Sequence, residues 1–311
     1  MNLDLSYKTQ WIKEKANELG FSGIGIAKAE FMEEEAQRLR EWLDLGYHGK
    51  MEYMTNHFEK RVNPTLLVDN AKSVICMMYN YYNPEITDSS DYKISMYAQG
   101  KDYHKVIKKK LKGFFQDIEK KFGSFSGRYF VDSAPVLERD WAKRAGLGWI
   151  GKNTMLITPQ KGSYFFLCEM IVDFDLKYDS PIDDYCGTCT KCIDACPTNA
   201  IHQDGYLMDG SKCISYLTIE LKSDIPTEFS GKMDDNIFGC DICQQVCPWN
   251  RFSSPHNEEA FLPKTSLTQM SNEDWENLNE EEFDQLFEGS AVKRTGFHGL
   301  KRNIKFVTKK K

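Results

Sequence analysis

No apolar run in this 311-residue sequence approaches the roughly 20 residues that a membrane-spanning helix requires, so no membrane partner is expected. The N-terminus shows no apolar signal segment, and the expectation is a cytoplasmic chain whose cysteines are not paired in disulfides. Internal repeats and low-complexity linkers are absent. So is a G-x-G-x-x-G loop: the glycines of Gly23-Ile-Gly25 sit in a strand-like run followed by the wrong turn, and no dinucleotide site is assigned. Positive charge is not in excess either. With a net charge of −6, any nucleic-acid binding has to come from local patches. One patch is marked by missing acids: from Val292 to Lys311 the chain carries Lys293, Arg294, Lys301, Arg302, Lys305, Lys309, Lys310 and Lys311 without one Asp or Glu, just after the acidic stretch Glu273 to Glu288. Such a tail is most simply solvated, yet it is also a ready phosphate-binding surface.

What the sequence does have is cysteine, in an order that carries chemistry. Cys186-Gly-Thr-Cys189-Thr-Lys-Cys192-Ile-Asp-Ala-Cys196-Pro197 is answered by Cys240-Asp-Ile-Cys243-Gln-Gln-Val-Cys247-Pro248. Three cysteines at i, i+3 and i+6 converge on one iron–sulfur cube, while a fourth, just before proline, turns away to the other cube. Cys186, Cys189, Cys192 and Cys247 are therefore expected to hold one 4Fe-4S cluster. Cys213 lies between the motifs and completes a second set with Cys196, Cys240 and Cys243. Zinc on paired C-x-x-C units is the competing reading, and the Cys-Pro run favours clusters. The remaining two of ten cysteines, Cys76 and Cys168, sit in apolar runs and are expected to be plain core.

Along the chain, residues 5–19 read as an amphipathic helix, Gly23 to Ala27 as a buried strand and Phe31 to Leu45 as a second helix. Ser73 to Tyr79 is continuously apolar, as a central strand is. Asp102-Tyr103-His104 opens a lysine-rich helix, with Asp102 placed to cap it and Tyr103 and His104 left to face a cleft. Arg128 to Val131 reads as a strand ending on Asp132 at the lip of a sheet, where chemistry is commonly placed. A helix over Val136 to Ala145 precedes Gly146-Leu-Gly148-Trp149-Ile-Gly151-Lys152-Asn153, whose glycines let backbone approach a bulky ligand. Tyr164 to Asp173 is another apolar strand.

Together these residues resemble the epoxyqueuosine reductase family, cobalamin-dependent enzymes of tRNA maturation related to the reductive dehalogenases. The matching pieces are Tyr97-Ala98 with Gly100, Asp102-Tyr103-His104, Val131-Asp132-Ser133-Ala134-Pro135 with Glu138-Arg139, the Gly146–Asn153 loop, both cysteine motifs, and Val292-Lys-Arg-Thr with Gly299-Leu-Lys-Arg302-Asn303. The resemblance covers most of the chain. It implies a fold of the α+β or α/β class: a nitroreductase-like cobalamin-binding domain over 1–174, a ferredoxin-like domain with two 4Fe-4S clusters over 175–252, and a helical C-terminal region with the basic tail over 253–311. Implied cofactor contacts are Ser95, Tyr97, Asp102, Asp132, Gly151, Lys152, Asn153, Ser215 and Lys222. The cobalamin motif D-x-H-x-x-G is not present, since Asp102-Tyr-His104-Lys-Val-Ile lacks the glycine, and this agrees with a cobalt that takes no protein histidine. Many members continue into a helical-repeat domain. Here the tRNA grip is expected to be smaller or to come from the basic tail.

The implied reaction reduces epoxyqueuosine to queuosine at the wobble position of tRNA. Removing the epoxide oxygen as water takes two electrons and two protons, with electrons arriving from an external low-potential donor through the clusters to cob(I)alamin. Asp132 is the candidate general acid, expected to be desolvated with a raised pKa, and His104 and Tyr103 orient the substrate or the proton path. The chain is expected to act as a monomer. Two other readings stay open at this point: a dehalogenase-like cobalamin enzyme acting on a small molecule, and a two-cluster electron carrier.

Overall fold

The computed structural model describes residues 4–84 and 90–308. Among these, the strands are, in chain order, β1 (Gly23–Lys28), β2 (Ser73–Asn80), β3 (Lys93–Ile94), β4 (Gly127–Phe130), β5 (Trp149–Ile150), β6 (Leu156–Ile157), β7 (Phe165–Val172) and β8 (Asn236–Phe238). The main sheet has the order β1-β2-β7-β4 and is antiparallel throughout. β2 is indeed internal, and its unbroken apolar run reflects cover on both faces, not parallel pairing. Successive side chains alternate between faces. Ile75 and Met77 join Ile12, Ala16, Ile107, Leu111 and Phe114 from the Leu5–Glu18 and Tyr103–Phe122 helices. Val74 and Cys76 pack on the other side with Ala36, Leu39, Trp141 and Ala142 from the Glu33–Asp44 and Glu138–Arg144 helices. Cys76 on this face and Cys168 on the other are both fully buried.

The Tyr103–Phe122 helix shows why the local sequence folds this way. Tyr103, Ile107, Leu111, Phe114 and Ile118 recur at helical spacing and form its buried stripe. Asp102 caps it by accepting from the His104 amide at 3.0 Å, and Gly123, at φ +90°, ends it.

A third core ignores the linear order of the chain. Tyr92, Ile94 and Ala98 pack with Ile214, Leu217 and Leu221 from the stretch between the cysteine motifs, and with Trp275, Phe283, Phe287, Leu300 and Ile304 from the C-terminal helices. β3 pairs in parallel with β8, tying the same spans together. Short amphipathic helices such as Asn272–Asn277 and Glu280–Leu286 cannot bury their apolar sides alone, and this shared core is where they do so.

The basic stretch at the end of the chain is less free than its composition suggests. Lys293 pairs with Asp284 at 2.9 Å and Arg294 with Glu220 at 2.9 Å, while Lys301 donates to the Glu276 carbonyl at 2.5 Å. Arg302 is structural: its guanidinium donates to the Leu221 and Leu217 carbonyls at 2.6 and 3.0 Å. Lys305 is exposed, and Lys309, Lys310 and Lys311 lie outside the described residues. Asn303, fully buried beside Arg302, donates to the carbonyls of Thr218 and Ile237, each at 2.8 Å. An Asn303→Leu substitution takes the side-chain donor from the Ile237 carbonyl and leaves the Thr218 carbonyl to the Thr295 hydroxyl, and denaturant unfolding of the intact protein is expected to show a loss of about 2 kcal/mol.

Candidate active site

β4 ends at Phe130, and two residues on the backbone of Asp132 takes φ +42°, an unusual conformation for a side chain of its kind. The turn is held by Glu138, whose Oε1 accepts the Asp132 amide at 2.6 Å. It presents the Asp132 carboxylate outward, with the side chain 59 % exposed. Two residues from the start of the long helix converge on it, and a third braces one of them. The Tyr103 hydroxyl donates to Asp132 Oδ2 in a short hydrogen bond. His104 Nε2 stands 3.7 Å from the same oxygen, and its Nδ1 lies 2.8 Å from Asp102 Oδ1. Tyr103 is itself fixed between stacked rings, 4.1 Å from both Phe166 and His104.

The charges follow from these contacts. Burial disfavours a charged His104, but bonding to Asp102 and Asp132 outweighs it and raises the imidazole to about 9. Burial acts on Asp132 in the direction expected from the sequence. The interactions with His104 and Tyr103 and the positive charges of His104 and Arg294 win, however, and hold the carboxyl below its ordinary value. The expected raised pKa of Asp132 is thus corrected: the proton sits on His104, and the two residues form an ion pair that stores one proton. Glu138, by contrast, is pushed up to about 8 by burial and by the charge of Asp132.

A chain of contacts links this group to the second cysteine motif. Asp241, between Cys240 and Cys243, accepts the Met96 amide at 2.7 Å and a short bond from the Ser95 hydroxyl. Tyr97 follows directly, edge-on to Tyr103 at 6.0 Å, and Tyr103 reaches Asp132. The motif is braced from behind as well, since Asn250 accepts the Ser163 amide at 2.7 Å and Gln244 donates to the Ser163 carbonyl at 3.0 Å.

The eight clustered cysteines fall into two neighbourhoods. Cys192 is surrounded by Cys186, Cys247 and Cys189, and a cavity of about 240 Å³ is lined by these four. Cys243 has Cys213, Cys240 and Cys196 as its nearest thiols. These are the two sets read from the spacing. Burial and mutual crowding push Cys192 up to about 11 and Cys240 to about 12, so the sulfurs ionise only against a strong positive charge. Among the described residues no three His, Cys, Asp or Glu side chains close on a single metal ion.

Other residues expected at the cofactor make these contacts within the protein. Lys152 donates to the Gly187 and Cys189 carbonyls at 2.7 and 3.1 Å, and Asn153 to the Cys243 carbonyl at 3.3 Å, so the glycine-rich loop braces the cluster loops. Gly151 is required by packing: a Cβ there would lie 2.4 Å from Ile157 Cδ1. Ser215 bonds to Cys213, lowering that thiol against the burial that raises it. Lys222 donates to the Ile219 and Arg294 carbonyls at 2.9 and 3.2 Å. Sequence reasoning passed over Asp241, Arg294 and Glu169. Only Asp241, a carboxylate between two cluster cysteines, carried a local signal.

Residues 61–133 match the family described as Epoxyqueuosine reductase QueG, DUF1730, and residues 185–250 match a 4Fe-4S double cluster binding domain. An epoxyqueuosine reductase of Leadbetterella byssophila is 60% identical over 296 residues, which cover 95% of this chain and 97% of that protein. The chain belongs to the epoxyqueuosine reductase family. A solved epoxyqueuosine reductase with a tRNA-Tyr epoxyqueuosine-modified stem loop is 31% identical, with a TM-score of 0.90 over 99% of this chain and 82% of the other. The Bacillus subtilis epoxyqueuosine reductase, 30% identical with a TM-score of 0.89 over 99% of this chain and 82% of its own, was solved with an aspartate-bearing catalytic loop swung out of the active site.

Two outcomes are expected of this reductase site. Because the folded pKa of His104 lies above its ordinary 6.5, its contribution to stability is complete below about pH 6.5 and is lost as pH rises through about 9. Unfolding curves across that window should show a weaker dependence in Asp132→Asn, which removes one of the two opposing charges and leaves Asp102. In Cys247→Ser, iron analysis with electron paramagnetic resonance should show the loss of the cluster shared with Cys186, Cys189 and Cys192 while the other survives.

Proposed function

We propose that this chain reduces epoxyqueuosine to queuosine at the anticodon wobble position of tRNA. The observation that carries this reading is the chain of contacts from the Cys240–Cys243 loop through Asp241, Ser95 and Tyr97 to Tyr103 and Asp132. It puts a proton-holding pair and a cluster loop on either side of two tyrosines. A plain electron carrier has no use for the ion pair. The 60% identity to an epoxyqueuosine reductase over nearly its whole length speaks against a small-molecule dehalogenase.

We assign cobalamin to the part over 1–174, the two clusters to 175–252, and a supporting role to 253–311. The residues suit a cobalamin with no protein ligand on cobalt, because both ring nitrogens of His104 face carboxylates, Asp102 on one side and Asp132 on the other. Ser95, Met96 and the half-buried Tyr97, between the cluster loop and Asp132, would hold it. When bound, cobalamin supplies the low-potential reductant and the clusters the single-electron path to it.

The chain's own residues handle the protons. The departing epoxide oxygen needs two to leave as water. Asp132, the outward-facing member of the ion pair, delivers the proton stored with His104, the second proton comes from solvent once the pair has been reprotonated, and Tyr103 holds the Asp132 carboxylate at one angle by donating to Oδ2. Arg294, whose charge reaches Asp132, favours the anionic form once the proton has gone. Electrons come from an external low-potential donor, and the enzyme works as a cytoplasmic monomer.

Phosphate contacts fall to the helix that begins at Tyr103. Lys101, Lys105, Lys108, Lys109 and Lys112 are exposed, the first two flanking His104 in sequence, and this surface suits an anticodon arm reaching the cleft better than the tied-down C-terminal cations.

The direct test is nucleoside analysis of epoxyqueuosine-containing tRNA after incubation with the reconstituted enzyme and a strong reductant. Queuosine should form, and no conversion at all would end this reading. Asp132→Asn should keep cluster and cobalamin content and bind tRNA, while turnover falls on the order of 100-fold or more. Near-normal turnover would move the donor role to His104 or Tyr103. Changing Lys101, Lys105 and Lys108 together to Gln should weaken tRNA binding and flatten its salt dependence by about 0.9 for each phosphate no longer neutralised, whereas Lys305→Gln should do less.

A further inference from the structure

One carboxylate in the fold has no ordinary reason to be where it is. Glu169 lies in the middle of β7, paired across to Cys76 of β2 and Phe130 of β4, with no exposed surface. Neither of its oxygens meets an N–H or hydroxyl donor. Among the described residues, the polar side chain it meets is another carboxyl, that of Glu138, on the helix laid over this face of the sheet. Two carboxylates are both acceptors, so that contact forms only when one of them carries a proton. Glu138 in turn spends its Oε1 on the amide of Asp132, the residue held at φ +42°.

We infer that Glu169 is a neutral carboxylic acid that donates its hydrogen bond to Glu138, and that this pair positions the Asp132 loop by keeping Glu138 aimed at the Asp132 amide. The inference rests on the reading of Asp132 as the proton donor given above. It makes Glu138 and Glu169 positioning residues, since neither touches the substrate.

The physics of burial supports it from several sides. An ionised carboxylate without donors or a counter-ion inside a sheet is strongly disfavoured and takes up a proton instead. Burial raises Glu169 well above its ordinary value, and the charges of Glu138 and Asp132 push it the same way. The ionisable groups facing the pair are Asp132, His104 and Tyr103 at the cleft, Arg139 on the helix, and the thiols of Cys76 and Cys168 in the strands. Both thiols are buried and themselves raised, so they offer no counter-charge. The shared proton belongs to the pair, and one apparent pKa describes its loss. With the proton in place, Glu138 accepts the Asp132 amide at Oε1 while its other side accepts from Glu169. Once the pair is fully ionised, two adjacent buried carboxylates repel each other, Glu138 leaves the amide, and the left-handed turn at Asp132 loses the acceptor that fixes its backbone. The device therefore works at neutral pH and fails as pH rises.

Replacement at position 169 tests this. Glu169→Gln keeps the size and an N–H donor to Glu138 but cannot titrate. Glu169→Leu keeps the bulk and removes the donor. On the inference, Glu169→Gln retains turnover within about threefold of the parent and loses the part of the alkaline fall that the pair causes, leaving the fall due to His104. Glu169→Leu loses turnover roughly 10- to 100-fold with the KM for tRNA unchanged, as for a misplaced catalytic group. Infrared spectroscopy of the holoenzyme without substrate supplies a second readout: a carbonyl band of a protonated carboxylic acid at neutral pH in the parent, gone in Glu169→Gln. Full turnover in Glu169→Leu overturns the inference. So does an infrared spectrum with no such band, or with one that Glu169→Gln leaves untouched, and this decides the matter even where the Leu variant does not fold. Failure of the parent to convert epoxyqueuosine would strike the functional reading alone, because the infrared result needs no substrate.

Discussion

The bond from Ser95 and Met96 to the Asp241 carboxylate is the contact on which the rest of the arrangement depends. Asp241 belongs to the cluster loop and Ser95 to the segment leading into the catalytic helix, so the bond fixes the register between the part that moves electrons and the part that moves protons. Burial raises the Asp241 carboxyl, and the bonds from Ser95 and Met96 oppose that rise. A carboxylate taken out of water this way cannot drift from its donors without a large penalty, so the joint is stiff. Tyr97 and Tyr103 inherit that stiffness, and Asp132 sits at its end.

The same few acids show how environment divides one functional group into several roles. Asp132 is held low by its neighbours His104 and Tyr103, whereas burial and neighbouring carboxylate charge push Glu138 up to about 8 and also raise Glu169 well above its ordinary value. Groups whose environments push their pKa values apart mark acid–base assignments. On the reading proposed above, the outward carboxylate exchanges the proton, the histidine stores it, and the inner pair sets the angle.

Packing explains why the C-terminal helices belong to the enzyme although they hold no ligand. Their aromatic residues complete a core that also contains Tyr92, Ile94 and Ala98, next to Ser95, and Arg302 and Asn303 bolt them to the Leu217–Leu221 turn. The cations there serve the fold, and the exposed lysines beside His104 are better placed for phosphate.

The sequence by itself determined what local spacing can encode. Both four-cysteine sets were legible, because ligand spacing in a Cys-x-x-Cys run fixes which sulfurs converge. The helices, the central strand β2 and the Asp102 cap were legible from period and turn chemistry, and Asp132 from its place at the end of an apolar strand. Only the tertiary structure decided the charges. The low pKa of Asp132 depends on His104 and Tyr103, which are 28 and 29 residues away in the chain and on another element. Glu169 reads as one acid in an apolar strand until Glu138 is folded over it. Lys152 and Asn153 read as cofactor contacts, and the carbonyls of Gly187, Cys189 and Cys243 to which they bond come from loops distant in sequence. The antiparallel order of the sheet was hidden for a related reason: a strand covered on both faces is equally apolar whichever way its neighbours run.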